Sequence, residues 1–479
     1  MSEGTAVSPI PQSGPKRARV AVMYGAMVVA AIGLFLTIDS WGSRLVAPER
    51  TGTVADEPVV GRPKTDALPH VLLALTAVVI VGRLLGLAFR YVGQPPVIGE
   101  VVGGLVLGPS LLGWIWPEAT AFLLPPSVAP FLGVIAQLGV ILYMFLIGLE
   151  LNLDVLRKRA HAAVAISHTS IIAPFLLGTG LALFLYPRFS SREVPFTSFA
   201  LFLGVAMAIT AFPVLARILT DRGMQTSRLG VIALACAATD DVTAWCLLAF
   251  VVGVAQAQVG GALLVVALTI GYIAFMVFVA RPTVGRYLGR LDESQLTPGT
   301  IALVFVGLLL STLTTEAIGV HAIFGAFLFG AMIPHDSPLS RALTHKLEDL
   351  VTILLLPAFF AFTGMRTRIG LVSGIDQWLV CGLIILVATA GKFGGTYAAA
   401  RLTGLARRDS AALGILMNTR GLMELIVLNI GLDMKVISPT LFAMMVLMAL
   451  ATTLATTPIL HWLATLAPRP ARAPTTATP

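Results

Sequence analysis

Apolar runs of roughly 20 residues recur from one end of this chain to the other. In hydrocarbon every backbone N–H and C=O must be satisfied within the protein, so runs of this length become spanning helices. The composition agrees: 57% of residues are hydrophobic and 12% charged, where a soluble domain carries about 25% charge. The chain therefore reads as an all-α polytopic membrane protein. An apolar run covers residues 20–38, and thirteen more cover roughly 71–90, 97–112, 128–149, 161–186, 197–219, 229–256, 261–280, 300–316, 318–334, 347–364, 377–400, 410–430 and 439–465. Residues 1–19 read as a polar N-terminal tail, 39–69 as an extracytoplasmic loop, 71–465 as the transmembrane domain and 466–479 as a short tail. Span 20–38 follows Lys16, Arg17 and Arg19 and lacks a clear small-x-small cleavage site, so it reads as an extra, retained N-terminal helix.

Basic side chains test this layout. With both termini cytoplasmic, the inside loops hold twenty of the 32 Lys and Arg, including the cluster Arg157-Lys158-Arg159, and the outside loops hold nine. That asymmetry accounts for the net charge of +8 without a nucleic-acid partner. The three cysteines, Cys236, Cys246 and Cys381, fall in apolar runs without ligand spacing and read as packing residues.

Against this background, Asp240 and Asp241 stand out, side by side in the middle of run 229–256. Each Asp at a helix centre costs about 2.5–3.5 kcal/mol on insertion scales. Lys392 and Arg420 also lie deep within spans and must face protein or water. Two spans look interrupted, one at Pro213 in Ala208–Val214 and one at Asn418-Thr419-Arg420-Gly421. They are seven spans apart, hence oppositely oriented, as in two inverted repeats whose discontinuous helices cross near the midplane. Pairs of small residues at Gly99/Gly103, Gly104/Gly108 and Ala322/Ala326/Gly330 read as close helix packing.

Adjacent helical residues point about 100° apart, so the two acids can divide their roles. One can pair with a buried cation such as Lys392 while the other faces a cavity and holds either a proton or a monovalent cation. Freed backbone carbonyls, Thr210 and Asn418 supply neutral oxygen ligands, a set suited to Na⁺ or K⁺. The bland alternative is a structural acid pair satisfied by Thr239 and Thr243. Arg420 and Glu424, four residues apart, read equally as a local ion pair. Glu100 and Glu150 read as interfacial or hinge positions, and His321 as a core or interfacial histidine. An intramembrane aspartyl protease needs acids on two facing helices, and a passive cation channel needs a filter or a ring of acids; neither pattern is present.

Several motifs carry a resemblance: Val97-Ile98-Gly99-Glu100 with Leu107-Gly108-Pro109-Ser110, Phe145 to Glu150, Ala208 to Arg217, Ala238 to Trp245, His321 to Phe327, Pro357 to Thr367 and Met417 to Gly431. Across residues 71–465 the chain resembles the monovalent cation/proton antiporter superfamily, on the branch of potassium-efflux antiporters and plant cation/proton exchangers. The resemblance implies a cell-membrane homodimer in lipid that exchanges K⁺ or Na⁺ for protons, with no cofactor beyond the transported ions. It assigns Asp241 as the ion- and proton-binding acid and Asp240 as its partner, salt-bridged to Lys392. Thr210 and Pro213 then fall in the first crossing helix, and Asn418, Thr419, Arg420 and Glu424 in the second. Many plant exchangers have Asn at the position of Asp240, and the acid pair here leans toward electrogenic exchange. The large cytoplasmic domain of such relatives has no counterpart before Pro479, so its mode of regulation is not carried over.

Overall fold

The computed structural model describes residues 17–48, 67–150, 160–225, 227–256, 262–287 and 297–465. Most of the expected 39–69 loop, the cluster Arg157-Lys158-Arg159 and the tails 1–16 and 466–479 lie outside those residues. Helix is the only regular secondary structure among the described residues. In chain order the helices are α1 (Arg17–Gly42), α2 (Ala67–Tyr91), α3 (Pro96–Leu107), α4 (Ala129–Glu150), α5 (Ala160–Phe189), α6 (Phe196–Ala208), α7 (Phe212–Asp221) and α8 (Arg228–Gln256). They continue with α9 (Ala262–Phe275), α10 (Pro298–Ile318), α11 (Ala322–Met332), α12 (Pro338–Leu350), α13 (Leu356–Arg366), α14 (Gly374–Leu402), α15 (Arg407–Met417), α16 (Leu422–Asp433) and α17 (Pro439–Thr465). Short helical turns complete the order, among them two π segments: Met276–Ala280 after α9 and Val351–Leu355, which joins α12 to α13.

Twelve helical segments are long and apolar enough to cross a bilayer, and the bent pair α15–α16 brings the number to thirteen. The fourteenth expected span, 318–334, contains only the eleven residues of α11. Its first part is a tight turn instead: Gly319 caps α10 in the left-handed region (φ 93°), and His321 follows at φ 87°. His321 thus precedes α11, at its N-cap, rather than lying within a span.

The helices pack as two bundles. One unites α5, α6, α8, α14, α15 and α17, with α7 on α8, α16 on α6 and α17, and α1 against α5 and α6. The other unites α2, α3, α4, α10, α11 and α13. In the second bundle α3 uses glycine on two faces. A Cβ on Gly99 would sit 2.5 Å from the Leu85 carbonyl of α2, and one on Gly104 would sit 2.2 Å from the Phe360 carbonyl of α13. A Cβ on Gly330 of α11 would likewise meet the Phe145 carbonyl of α4 at 2.3 Å. Small residues let these backbones touch where lipid offers no hydrophobic drive for association.

Candidate functional site

The first bundle is organised around two breaks. The α6–α7 span opens at Ile209–Ala211, and Pro213 occupies the second position of α7. Proline has no N–H to return to the carbonyl of Ile209, so the helix cannot run through this point. The α15–α16 span opens at 418–421 and bends by 44°. The two extended segments meet: the Ala211 N–H donates to the Thr419 carbonyl at 2.9 Å. At the crossing a Cβ on Gly421 would sit 2.7 Å from Val214 Cγ2, so glycine lets α7 pass close by.

Breaking a helix exposes half-helix ends, whose partial charges call for compensation. At the C-terminal end of α6 two cations supply it. Arg420 Nη1 donates to the Ala206 carbonyl at 2.9 Å and Nη2 to the Met207 carbonyl at 2.6 Å, while Lys392 Nζ donates to the Ala208 carbonyl at 2.5 Å. Arg420 also pairs with Glu424 Oε2 at 2.9 Å, so the local ion pair and the capping role coexist. Thr453 of α17 pins the break by accepting from the Arg420 N–H at 2.8 Å, with its hydroxyl 2.7 Å from the Arg420 carbonyl. At the N-terminal end of α7 the Phe212 N–H donates to the Asp241 carboxylate. Arg420, Lys392 and Asp241 therefore each face a helix end of opposite sign.

The two aspartates have unlike surroundings. Asp240 is saturated: Lys392 Nζ and Thr210 Oγ1 each approach Oδ2 at 2.9 Å, Ser167 Oγ approaches Oδ1 at 2.6 Å, and Ser170 Oγ lies 2.9 Å from Oδ2. Neither Asp240 nor Lys392 exposes any side-chain surface. Thr210 also lies 3.1 Å from the Met417 carbonyl; its single proton can serve only one acceptor at a time, so it ties Asp240 to the crossing. Asp241 has the Phe212 amide and little else. Its Oδ2 is buried with no hydrogen-bond partner among the described residues, and so is Oδ1 of Asn418 in the second break. Thr239 and Thr243 satisfy neither acid: each hydroxyl donates to a carbonyl of its own helix, Ala235 and Thr239 respectively.

The geometry thus assembles Asp240, Lys392 and Thr210 directly, and Arg420 with Glu424 at the neighbouring helix end. Sequence reasoning missed Ser167 and Ser170 on α5, although their i, i+3 spacing places two hydroxyls on one helix face. Thr453 was missed as well.

Two cavities flank the crossing, both in the seam between the bundles. A larger one of about 450 Å³ is lined by Arg83, Glu100, Tyr143, Arg217, Leu422 and Met423. A smaller one of about 160 Å³ is lined by Gln137, Glu316, His321, Ile426, Asn429 and Asp433. Helix α16 runs from one to the other, with Leu422 and Met423 at the first and Asn429 and Asp433 at the second. Tyr143 lines the larger cavity within electrostatic reach of Asp241. Glu100, expected at an interface or hinge, lines this cavity beside Arg83.

Comparison with known proteins places these features in context. The family profile described as "sodium/hydrogen exchanger, transmembrane" matches residues 74–465. The Na⁺/H⁺ antiporter NhaS4 of Synechocystis sp. is 43% identical over 398 residues, covering 82% of this chain and 97% of that protein. Cation/H⁺ antiporter 20 of Arabidopsis thaliana is 38% identical over 83% of this chain and 48% of its own length. K⁺/H⁺ antiporter 1 of Saccharomyces cerevisiae is 34% identical over 80% of this chain and 45% of its own length. The chain thus spans about half the length of the plant and yeast relatives. In fold it is similar to the sodium proton antiporter MjNhaP1 from Methanocaldococcus jannaschii at pH 8, with a TM-score of 0.63 and 15% identity over 84% of this chain and 99% of that one.

Proposed function

The chain belongs to the sodium/hydrogen exchanger family and is a multi-pass cation/proton antiporter rather than an enzyme, and from that premise we propose that Asp241 carries the exchange. A proton and a monovalent cation, K⁺ or Na⁺, compete for its carboxylate, and the two bundles expose it alternately to the two cavities. The observation that supports this reading most is the contrast between the acids. Asp240 has a lysine ammonium and three hydroxyls within hydrogen-bond distance, whereas Asp241 has one amide donor and a buried oxygen without a partner among the described residues. A carboxylate in that state gains from accepting a proton or a cation, because a buried charge without a partner is costly.

In this reading Asp240, Lys392 and Thr210 hold the crossing in shape beside the carrier, and Asn418 Oδ1 and the carbonyls freed at the breaks complete a cation's shell. Neutral oxygens with one or two carboxylates suit a monovalent ion. The Arg-lined larger cavity faces the cytoplasm in this reading, which the excess of basic residues in the inside loops supports. With the short helix α11 as a fourteenth crossing, both termini are cytoplasmic, and the protein works as a homodimer in the lipid of the cell membrane, with no cofactor beyond its transported ions.

The test is exchange in proteoliposomes, read as dequenching of a pH dye when Na⁺ or K⁺ is added. Asp241→Asn should abolish the signal while the protein still purifies folded. Dequenching at the wild-type rate would remove Asp241 from the mechanism. A passive cation pathway, the rival reading, would move protons only through the membrane potential, and its signal would vanish under voltage clamp with valinomycin and K⁺.

A further inference from the structure

Arg366, the last residue of α13, reaches across the seam between the bundles. Its Nη1 donates to Asn429 Oδ1 at 3.1 Å and its Nη2 to Asp433 Oδ1 at 2.5 Å, both on α16. The Asn429 amide donates back to Thr363 Oγ1 at 2.9 Å, one turn earlier on α13. The Phe362 ring lies 5.1 Å from the guanidinium carbon and helps fix its direction. Four polar side chains thus tie α13 of one bundle to α16 of the other at the smaller cavity. At the opposite end of α16 the bundles stand apart around the larger cavity, where Leu422 and Met423 are among the lining residues.

We infer that this Arg366–Asn429–Asp433–Thr363 network is a clasp that holds the extracytoplasmic side closed and must open once in each exchange cycle. The inference rests on the alternating-access reading above and deepens it by naming the contact that gates one side. Exposure supports the role. The Arg366 and Asp433 side chains are 22% and 50% exposed, whereas Lys392 and Asp240 are fully buried. A partly solvated pair is weak enough to break and remake during turnover, while a dry pair is not. Arg366 is a positioning residue here: it sets which cavity is open without touching the transported ion at Asp241.

The test uses a cysteine-free background, with Cys236, Cys246 and Cys381 replaced by Ala, carrying Arg366→Cys and Asp433→Cys. A short bis-methanethiosulfonate should link the two thiols, lower exchange in proteoliposomes by about tenfold or more, and release it again on reduction. Recovery on reduction shows that the loss is arrest rather than misfolding. Linked protein exchanging at the unlinked rate would overturn the clasp, and so would failure of the thiols to link. As a second measurement, Arg366→Gln should raise the labelling rate of an Ile426→Cys probe by an impermeant reagent added outside, and Arg366→Lys should restore the slow rate. Equal labelling in all three would also overturn it. The two readings fail separately: an active Asp241→Asn variant sinks the carrier assignment, whereas unimpeded exchange in the linked protein sinks only the clasp.

Discussion

Replacing Lys392 by Met preserves most of the side-chain volume and removes the ammonium group from a fully buried ion pair. The cost follows from the contacts. Asp240 keeps its three hydroxyl donors, Ser167, Ser170 and Thr210, but loses the only cation that touches it among the described residues. Leaving one charge of a buried pair uncompensated costs about 3–5 kcal/mol. The Ala208 carbonyl at the end of α6 loses its donor as well, adding about 1–3 kcal/mol if no other group replaces it. Asp240→Asn strands the ammonium instead. In the double variant both charges are gone, so the cost should fall short of the sum by about 1–3 kcal/mol. The assay is a double-mutant cycle of unfolding midpoints for purified protein in detergent. The exposed i,i+4 pair Arg217–Asp221, at 3.1 Å with both side chains about half solvated, serves as a control. Its coupling should be only about 0.3–0.5 kcal/mol. Additivity of Lys392→Met and Asp240→Asn within about 0.5 kcal/mol would refute the claim that this pair holds the crossing together.

Further outcomes follow from the same contacts. Arg420→Met unpairs Glu424 and two α6 carbonyls at once, and should destabilise the protein by about 3–5 kcal/mol, with part of the loss recovered in Arg420→Met/Glu424→Gln; thermal unfolding reads this directly. Thr453→Val removes the hydroxyl that engages the Arg420 backbone and should cost about 1–3 kcal/mol, lowering turnover more than apparent cation affinity. Asp240→Asn takes away the carboxylate that faces Lys392 and should change the charge carried per exchange event, measured as current on a solid-supported membrane; unchanged transported charge would count against the acid pair setting the exchange stoichiometry. Gly104→Val should push α3 off α13, since its Cβ would lie 2.2 Å from the Phe360 carbonyl, and a wild-type unfolding midpoint would contradict that packing.

The positions of the spans and the existence of both breaks were legible because each rests on a local signal: an apolar run, a proline, or a polar cluster with glycine. The break at Pro213 falls just upstream, at 209–211, since the missing donor frees a carbonyl a turn earlier. The pairing of Asp240 with Lys392 was within reach because two opposite buried charges have few alternatives. Their remaining partners were not. Ser167, Ser170 and Thr453 look ordinary in membrane helices, and only the packing of α5 and α17 brings them to the site. The span assigned to 318–334 was overextended because Val320 and Ile318 continue the apolar run, while the turn at Gly319–His321 is a matter of backbone conformation. Arg366 and Asp433 lie near helix ends, where charges are commonplace, so their contact across the seam had no sequence signature.

The central claim, that a cation and a proton compete for Asp241, is tested most directly by the pH dependence of apparent cation affinity. Exchange rates measured in proteoliposomes over a range of Na⁺ and K⁺ concentrations at each pH give the apparent KM. Competition for one carboxylate predicts that KM rises about tenfold per unit fall in pH on the acid side, with maximal rate little changed. A KM that stays constant as protons are added, or that retains the same pH dependence in an active Asp241→Asn protein, would contradict it.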